Sequence, residues 1–253
     1  MKEKEGKLLR DICVSIVAPA FSEEEVIESF VRGVQNAMEG AFKDLEVVIV
    51  DDGSTDGTHA ILERLRQEYG NLVVLKHPMN RGLGAGLETG FRAAKGDVIV
   101  TMDADGTHDP GLIPKMVAAI QNGADVVVAS RYVPGGGMDG VPRWRQAASI
   151  VGNLVLGRLM GWPVCDGTSG FRAYRREVIG RLEGLPAGFE VQGEILRRLG
   201  KGIWVAEVPL RLTARQGGRS KMRYAGLLYR YLRMTVKTAL VWRAEGIYAA
   251  RRH

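Results

Sequence analysis

The sequence predicts an α/β protein with a mostly parallel sheet flanked by helices, and three observations lead there. Short β-branched runs recur through the first 130 residues, at Ile12–Ala18, Leu45–Val50, Leu72–Leu75, Val98–Thr101 and Val126–Ala129. Between them apolar residues return at helical spacing, as in Val26, Ile27, Phe30, Val31, Val34 and Met38. Strands alternating with helices imply parallel pairing through right-handed crossovers. Third, 253 residues with 45% hydrophobic and 25% charged side chains are enough for one large core that folds without disulfide or metal staples.

Each strand is apolar without alternation, which marks a sheet covered on both faces. Ser22 followed by Glu25 reads as a capping box opening the first helix, and Asp109–Pro110 opens the fourth in the same way. From Arg131 the character changes. Tyr132–Pro142 is a Gly-rich loop, followed by a helix over Arg143–Met160 with Arg145, Ser149 and Asn153 on one stripe and Trp144, Ala148, Val151 and Val155 on another. A second strand–turn element, Asp166–Arg172, then leads to a helix at Glu190–Leu199 and a strand at Ile203–Leu212, and the loop Arg215–Lys221 is basic. Trp162 and Trp204 read as core residues. Residues 1–221 form the expected catalytic domain and 222–253 a basic amphipathic helical tail. In that tail Arg223, Arg230, Arg233 and Lys237 share one arc, opposite Leu228, Tyr231, Leu232 and Trp242. Such a helix either docks on the protein's own core or lies in a lipid headgroup layer.

Charge narrows the partners. The net charge is +6, but eleven of the 35 basic side chains and one of the 29 acidic ones fall in residues 211–253. That concentration suits a polyanion, either an anionic membrane surface or a nucleic acid. No helix-turn-helix, RNA-recognition or zinc pattern appears, which disfavours nucleic acid and a non-catalytic binding module. The N-terminus lacks an apolar signal core, and the longest apolar run, near Ile150–Val164, is broken by Asn153, Arg158 and Pro163, so no membrane span is expected. Cys13 and Cys165 show no metal-ligand spacing and suit a reducing cytosol.

The chemistry concentrates in loops after the strands. Met102-Asp-Ala-Asp105 places two carboxylates after an apolar strand, where open α/β sheets bind ligands. Two hard oxygen ligands suit Mg²⁺ or Mn²⁺ held jointly with substrate phosphates. A helix cap or plain turn is the other reading of Asp-x-Asp. Asp51-Asp-Gly-Ser-Thr-Asp-Gly-Thr58 follows the second strand and Pro19-Ala-Phe-Ser-Glu23 the first, so three strand ends carry acidic or Gly/Pro-rich loops on one edge. Together they make a nucleotide site. A sugar-1-phosphate nucleotidyltransferase is disfavoured, because Glu23, Glu24 and Glu25 would repel a triphosphate in the first loop.

These motifs, with Gly82-Leu-Gly84, His108, Ser130-Arg-Tyr132, Thr168-Ser-Gly-Phe-Arg172, Glu207-Val-Pro209 and Arg215…Ser220-Lys221, resemble in order those of the inverting family-2 glycosyltransferases. Within that family the chain is most similar to the dolichyl-phosphate (polyprenyl-phosphate) mannosyltransferases. The resemblance implies a GT-A fold and a GDP-mannose donor, with a UDP-glucose donor as the alternative. Pro19, Phe21, Glu23, Val50 and Asp52 would hold the nucleoside. Asp103, Ala104 and Asp105 would meet the diphosphate and metal, and Thr107, standing where many relatives carry Gln, would reach the metal through its hydroxyl or backbone carbonyl. Arg131, Arg215 and Lys221 would meet phosphate groups. Ala20, Phe21 and Ser22 replace the commoner Thr-Tyr-Asn.

A polyprenyl or dolichyl phosphate acceptor has a second pKa of about 6, so it is already a nucleophile near neutral pH. Cationic positioning then replaces a protein base, and Arg131, Arg145 and Arg215 suit phosphate oxygens. Arg145 and Ser149, one helical turn apart, are expected to grip that phosphate, while Asp166 and Glu190 are candidates for sugar contacts or a residual base. The expected location is the cytosolic face of a membrane, held peripherally by the tail or by a small membrane-anchor subunit.

Overall fold

The computed structural model describes residues 9, 11–180, 182–200 and 202–212. Arg215, Lys221 and the amphipathic tail 222–253 lie outside the described residues.

The main sheet has seven strands in the order β3-β2-β1-β4-β7-β5-β8. They are β1 (Cys13–Ala20), β2 (Asp44–Asp51), β3 (Leu72–Lys76), β4 (Val98–Thr101), β5 (Val126–Ser130), β7 (Arg172–Arg175) and β8 (Val205–Pro209). All pairings are parallel except those of β7, which runs antiparallel between β4 and β5. A two-stranded parallel sheet joins β6 (Gly137–Met138) to β9 (Arg211–Leu212). The expected strand over 203–212 is thus two strands in two sheets. Pro209 ends the first, opposite Ser130, because it has no amide with which to continue the ladder.

Successive strand residues go to opposite faces. Ile16, Ala18, Val47 and Ile49 pack with α1 (Ile27–Met38), α2 (Thr58–Glu68) and α4 (Ile113–Gln121). Val17, Val48, Val50 and Ile99 pack on the other side with α3 (Leu83–Ala93), the short α6 (Arg176–Ile179) and α7 (Val191–Leu199). The three-layer arrangement explains why these strands read as unbroken apolar runs.

Two local expectations are corrected. α1 starts at Ile27 with Val26 at its N-cap and no side-chain cap hydrogen bond there, so its cap is not Ser22. Ser22 has φ 51°, its amide donates to Ser54 Oγ, and Glu24 accepts from the Gly57 amide, so this loop is committed to the loop after β2 instead. Trp204 is 55% exposed, lying over Gly123, whereas Trp162 is buried as expected. Asp109 does cap its helical turn, accepting from the Gly111 amide over the 3₁₀ segment Pro110–Leu112 that precedes α4.

The helix α5 (Arg143–Met160) stands apart from the sheet and matches its expected span. Asn153 and Met160 are its buried residues, while Trp144, Ile150, Val151, Leu154, Val155 and Leu159 are exposed. Its apolar stripe faces outward.

Candidate active site

The chain order reverses between β1 and β4, making a topological switch point, and the loops after β1, β2, β4 and β5 gather on that edge. Antiparallel β7 brings a fifth loop there, because Arg172 pairs with Thr101 and the 166–171 turn therefore arrives beside Asp103.

At one end of the cleft the first two loops are sewn together. The Glu23 amide donates to Thr58 Oγ1 at 2.8 Å and the Asp52 amide to the Ala20 carbonyl at 2.8 Å. Val50 is fully buried in the core, so only its backbone borders the cleft, and Pro19 packs against Gly86. Asp52 is 4% exposed. Its Oδ1 accepts from His77 Nδ1 at 2.6 Å and from the Arg81 amide at 2.9 Å, and its Oδ2 accepts from the Gly82 amide at 2.8 Å. Nε2 of His77 is in turn 2.9 Å from Thr89 Oγ1 on α3. Asp52 thereby fixes the Met79–Gly82 loop, and Gly53 lets that loop approach: a Cβ there would lie 2.4 Å from the Met79 carbonyl carbon.

The loop after β4 presents the paired carboxylates. Met102 and Ala104 point inward and are buried, which turns Asp103 and Asp105 toward the cleft; the Asp103 side chain is 41% exposed. The Asp103 amide donates to His108 Nδ1 at 3.2 Å, which leaves the ring proton on Nε2, 3.8 Å from Asp103 Oδ2. His108 stacks on Phe171 with centroids 5.0 Å apart, so it braces this loop. Thr107 donates to Asp105 Oδ1 from both its amide (3.1 Å) and its hydroxyl (2.7 Å), so its contribution here is to orient that carboxylate. No group of three or more potential metal-ligating His, Cys, Asp or Glu side chains occurs among the described residues. Two carboxylates without a cage fit a hard divalent ion that completes its shell with substrate phosphate and water.

Across from them, Arg131 is clamped to Asp166. Nε and Nη2 each lie 2.7 Å from a carboxylate oxygen, and the Arg131 amide donates to the same group at 3.1 Å. Burial alone would raise the Asp166 carboxyl, but the hydrogen bonds and charge of Arg131 outweigh it and hold the group below the ordinary carboxylate range. Burial would likewise lower the Arg131 guanidinium, and Asp166 reverses this. Glu207 holds the turn beneath, accepting from the amides of Cys165 (2.8 Å) and Asp166 (3.2 Å). Arg131 Nη2 also donates to Thr168 Oγ1, which accepts from Asn153 of α5 at 2.8 Å. Ser149 Oγ is 2.6 Å from Tyr132 Oη, while the exposed Arg145 guanidinium sits over the Trp144 ring, 5.2 Å from its centroid. Ser149 therefore ties α5 to the Arg131–Tyr132 segment, and Arg145 belongs to the outer rim of the helix.

Sequence reasoning missed His77, Asn153, Thr168 and Glu207 as site builders. Two of these stood inside the recognised motifs Thr168-Ser-Gly-Phe-Arg172 and Glu207-Val-Pro209, and that was the available signal. Asn153 shared the helical stripe of Arg145 and Ser149, while nothing local pointed to His77.

The family model for "Glycosyl transferase family 2" matches residues 15–182, which spans β1 through the end of α6 and includes every loop described above, but not strand β8, which bears Glu207. The chain belongs to this family. It is 36% identical over 236 residues to a dolichol-phosphate mannosyltransferase from Pyrococcus furiosus, covering 92% of this chain and 65% of that protein. It is 36% identical to a polyprenol monophosphomannose synthase from Mycolicibacterium smegmatis, covering 82% and 80% of the two chains. With an undecaprenyl-phosphate mannosyltransferase from Micrococcus luteus it shares 33%, covering 93% and 98%. Among solved structures, glucosyl-3-phosphoglycerate synthase from Mycobacterium tuberculosis superposes with a TM-score of 0.68 at 23% identity over 95% of this chain and 82% of that one. A mannosyltransferase from Pyrobaculum calidifontis in complex with GDP-mannose and Mn²⁺ gives 0.59 at 21% identity, over 83% and 59%. The family-2 chain thus has the GT-A fold that its motifs implied.

Proposed function

We propose that this glycosyltransferase moves mannose from GDP-mannose to a polyprenyl phosphate, with the acceptor phosphate as nucleophile. The observation that carries the reading is the state of Asp166. A base mechanism needs a carboxylate able to take a proton, and this one is buried, bidentate to Arg131 and held below its ordinary range. An acceptor that arrives already ionised needs none. The names of the three relatives support the same acceptor class and sugar.

In this reading Asp103 and Asp105 hold Mg²⁺ or Mn²⁺ together with the donor diphosphate. The ion, when bound, stabilises the charge that builds on the leaving phosphate. The ends of β1 and β2 and the loops after them, with Pro19, Phe21, Glu23, Val50 and Asp52, receive the nucleoside. Arg131, oriented by Asp166 and Thr168, faces the acceptor phosphate with its remaining N–H groups, and Ser149 fixes the segment that carries it. Arg215 and Lys221 are assigned phosphate contacts by their motif alone.

No helix among the described residues is long and apolar enough to cross a membrane. Peripheral docking through α5 is the proposed attachment, because its six exposed large apolar side chains sit with exposed Arg143, Arg145 and Arg158, a combination that suits an anionic headgroup layer. That would place the site at the cytosolic face, where a lipid phosphate emerges.

Transfer of radiolabelled sugar from GDP-mannose and from UDP-glucose to a short polyprenyl phosphate with Mn²⁺, in wild type and Asp105→Ala, tests this. Transfer from GDP-mannose that the substitution abolishes is expected. Transfer from UDP-glucose alone would overturn the donor assignment, and transfer unaffected by Asp105→Ala would overturn the metal site.

A further inference from the structure

We propose that Gln192 reads a hydroxyl of the donor sugar, an inference that rests on the nucleotide-sugar reading above. Gln192 lies in the first turn of α7, 4% exposed, and its Oε1 is buried with no hydrogen-bond partner among the described residues. Buried side-chain oxygens are seldom left unpaired, so an atom of this kind beside a cleft calls for a ligand group.

The cleft beside it is specific. A Cβ built on Gly170 would meet Asp103 Oδ1 at 3.1 Å, Gln192 Nε2 at 3.2 Å and Asp103 Oδ2 at 3.5 Å. The Asp103 carboxylate and the Gln192 amide therefore converge on one small volume, which stays open because residue 170 is glycine. The floor of that niche is fixed. Thr101 Oγ1 donates to the Gly170 carbonyl at 2.8 Å, and fully buried Arg172 donates to the carbonyls of Gln192 (2.7 Å) and Gly167 (2.8 Å).

Position selects the ligand group. Asp103 lies close enough to Arg131 for its charge to bear on that guanidinium, so it neighbours both the acceptor-side cation and Gln192. In a transfer reaction the moving sugar must lie between the diphosphate carboxylates and the acceptor phosphate. A sugar there has the Gln192 amide as a neighbour. A primary amide both donates and accepts, and a half-turn about its last bond exchanges the two, which matches a hydroxyl group that does the same.

Gln192→Met keeps length and volume and removes both polar atoms. Rates and calorimetric donor affinities are measured for GDP-mannose and its 2-, 3- and 4-deoxy forms in wild type and variant, with GDP affinity as the reference. A site built to bond a hydroxyl rejects the analogue lacking it strongly, so wild type is expected to disfavour at least one deoxy donor by about 100-fold or more. In the variant that ratio falls to within about threefold for the same donor while GDP affinity is retained. Unchanged discrimination for every donor, or GDP affinity lost in step with transfer, would overturn the proposal. Gln192→Asn, which withdraws the amide by one methylene, carries the same expectation if the Met variant does not fold. If wild type uses UDP-glucose instead, the mannose reading fails and the deoxy series of UDP-glucose tests Gln192 unchanged; the calorimetric ratios do not depend on the acceptor.

Discussion

Replacing Asp166 with Asn probes the clamp on which the mechanism depends. The carboxylate accepts from the Arg131 amide, Nε and Nη2 and from Thr168 Oγ1, and neither charge is well hydrated, with the Asp166 side chain fully buried and that of Arg131 17% exposed. Asparagine keeps the shape but leaves the guanidinium buried without its counter-charge. Breaking a buried pair from one side costs about 3–5 kcal/mol. For a domain of this size each kcal/mol moves the melting temperature by about 2–4 °C, so a fall of about 6–20 °C is expected. The pH dependence has a definite sign. The folded carboxyl lies below its unfolded value of about 3.9, so its stabilisation is fully present above that value and is lost as pH falls through the folded pKa. Glu28, Asp56 and Glu194 are shifted the same way, so the diagnostic quantity is wild type minus variant. That difference in melting temperature should be constant from pH 7 to about 5 and shrink below about 4. A loss under about 1 kcal/mol, or a difference that does not shrink in acid, would refute the reasoning.

Three further outcomes follow from the geometry. His77→Phe should weaken GDP binding about tenfold, measured by calorimetry, because Asp52, which anchors the Arg81 and Gly82 amides, loses the hydrogen bond that orients it, whereas His77→Asn, whose amide nitrogen can replace Nδ1, should retain most of the affinity. Gly53→Ala should cost about 2 kcal/mol or more in chemical denaturation, since φ is +74° and the new Cβ meets backbone atoms of Met79 and Asn80 that cannot swing aside. Val151→Asp with Leu154→Asp should change stability by less than about 1 kcal/mol, both residues being exposed, yet reduce co-sedimentation with anionic vesicles more than tenfold; unchanged sedimentation would remove α5 from the membrane proposal.

The parallel half of the sheet was legible because β1, β2, β4 and β5 are covered on both faces and therefore spell continuous apolar runs. Strand β7 was not. Arg172-Ala-Tyr-Arg175 is four residues long, and its two arginines are placed by carbonyls elsewhere: Arg172 by Gly167 and Gln192, Arg175 by Ile120 and Ala124. Nothing local announces such partners. The span of α5 could be read to the residue, but which face it buries could not, because its inner contacts are polar ones from Ser149 and Asn153 to Tyr132 and Thr168. The acidic loops were found from composition and position. Their wiring was not, since Asp52 is 25 residues from His77 and Arg131 is 35 from Asp166.

The position of β7 also bears on synthesis. β4 and β5 never pair with one another, and each has β7 as a neighbour. Until residues 172–175 have left the ribosome, the growing chain holds two unzipped inner edges, with the apolar outer stripe of α5 emerging between them. Open edges of this kind template intermolecular pairing. Translation arrested between α5 and β7 should therefore yield the most adhesive nascent fragment of this chain; the emergence of four residues should close the two edges that face β7, and the other edge of β5 waits for β8.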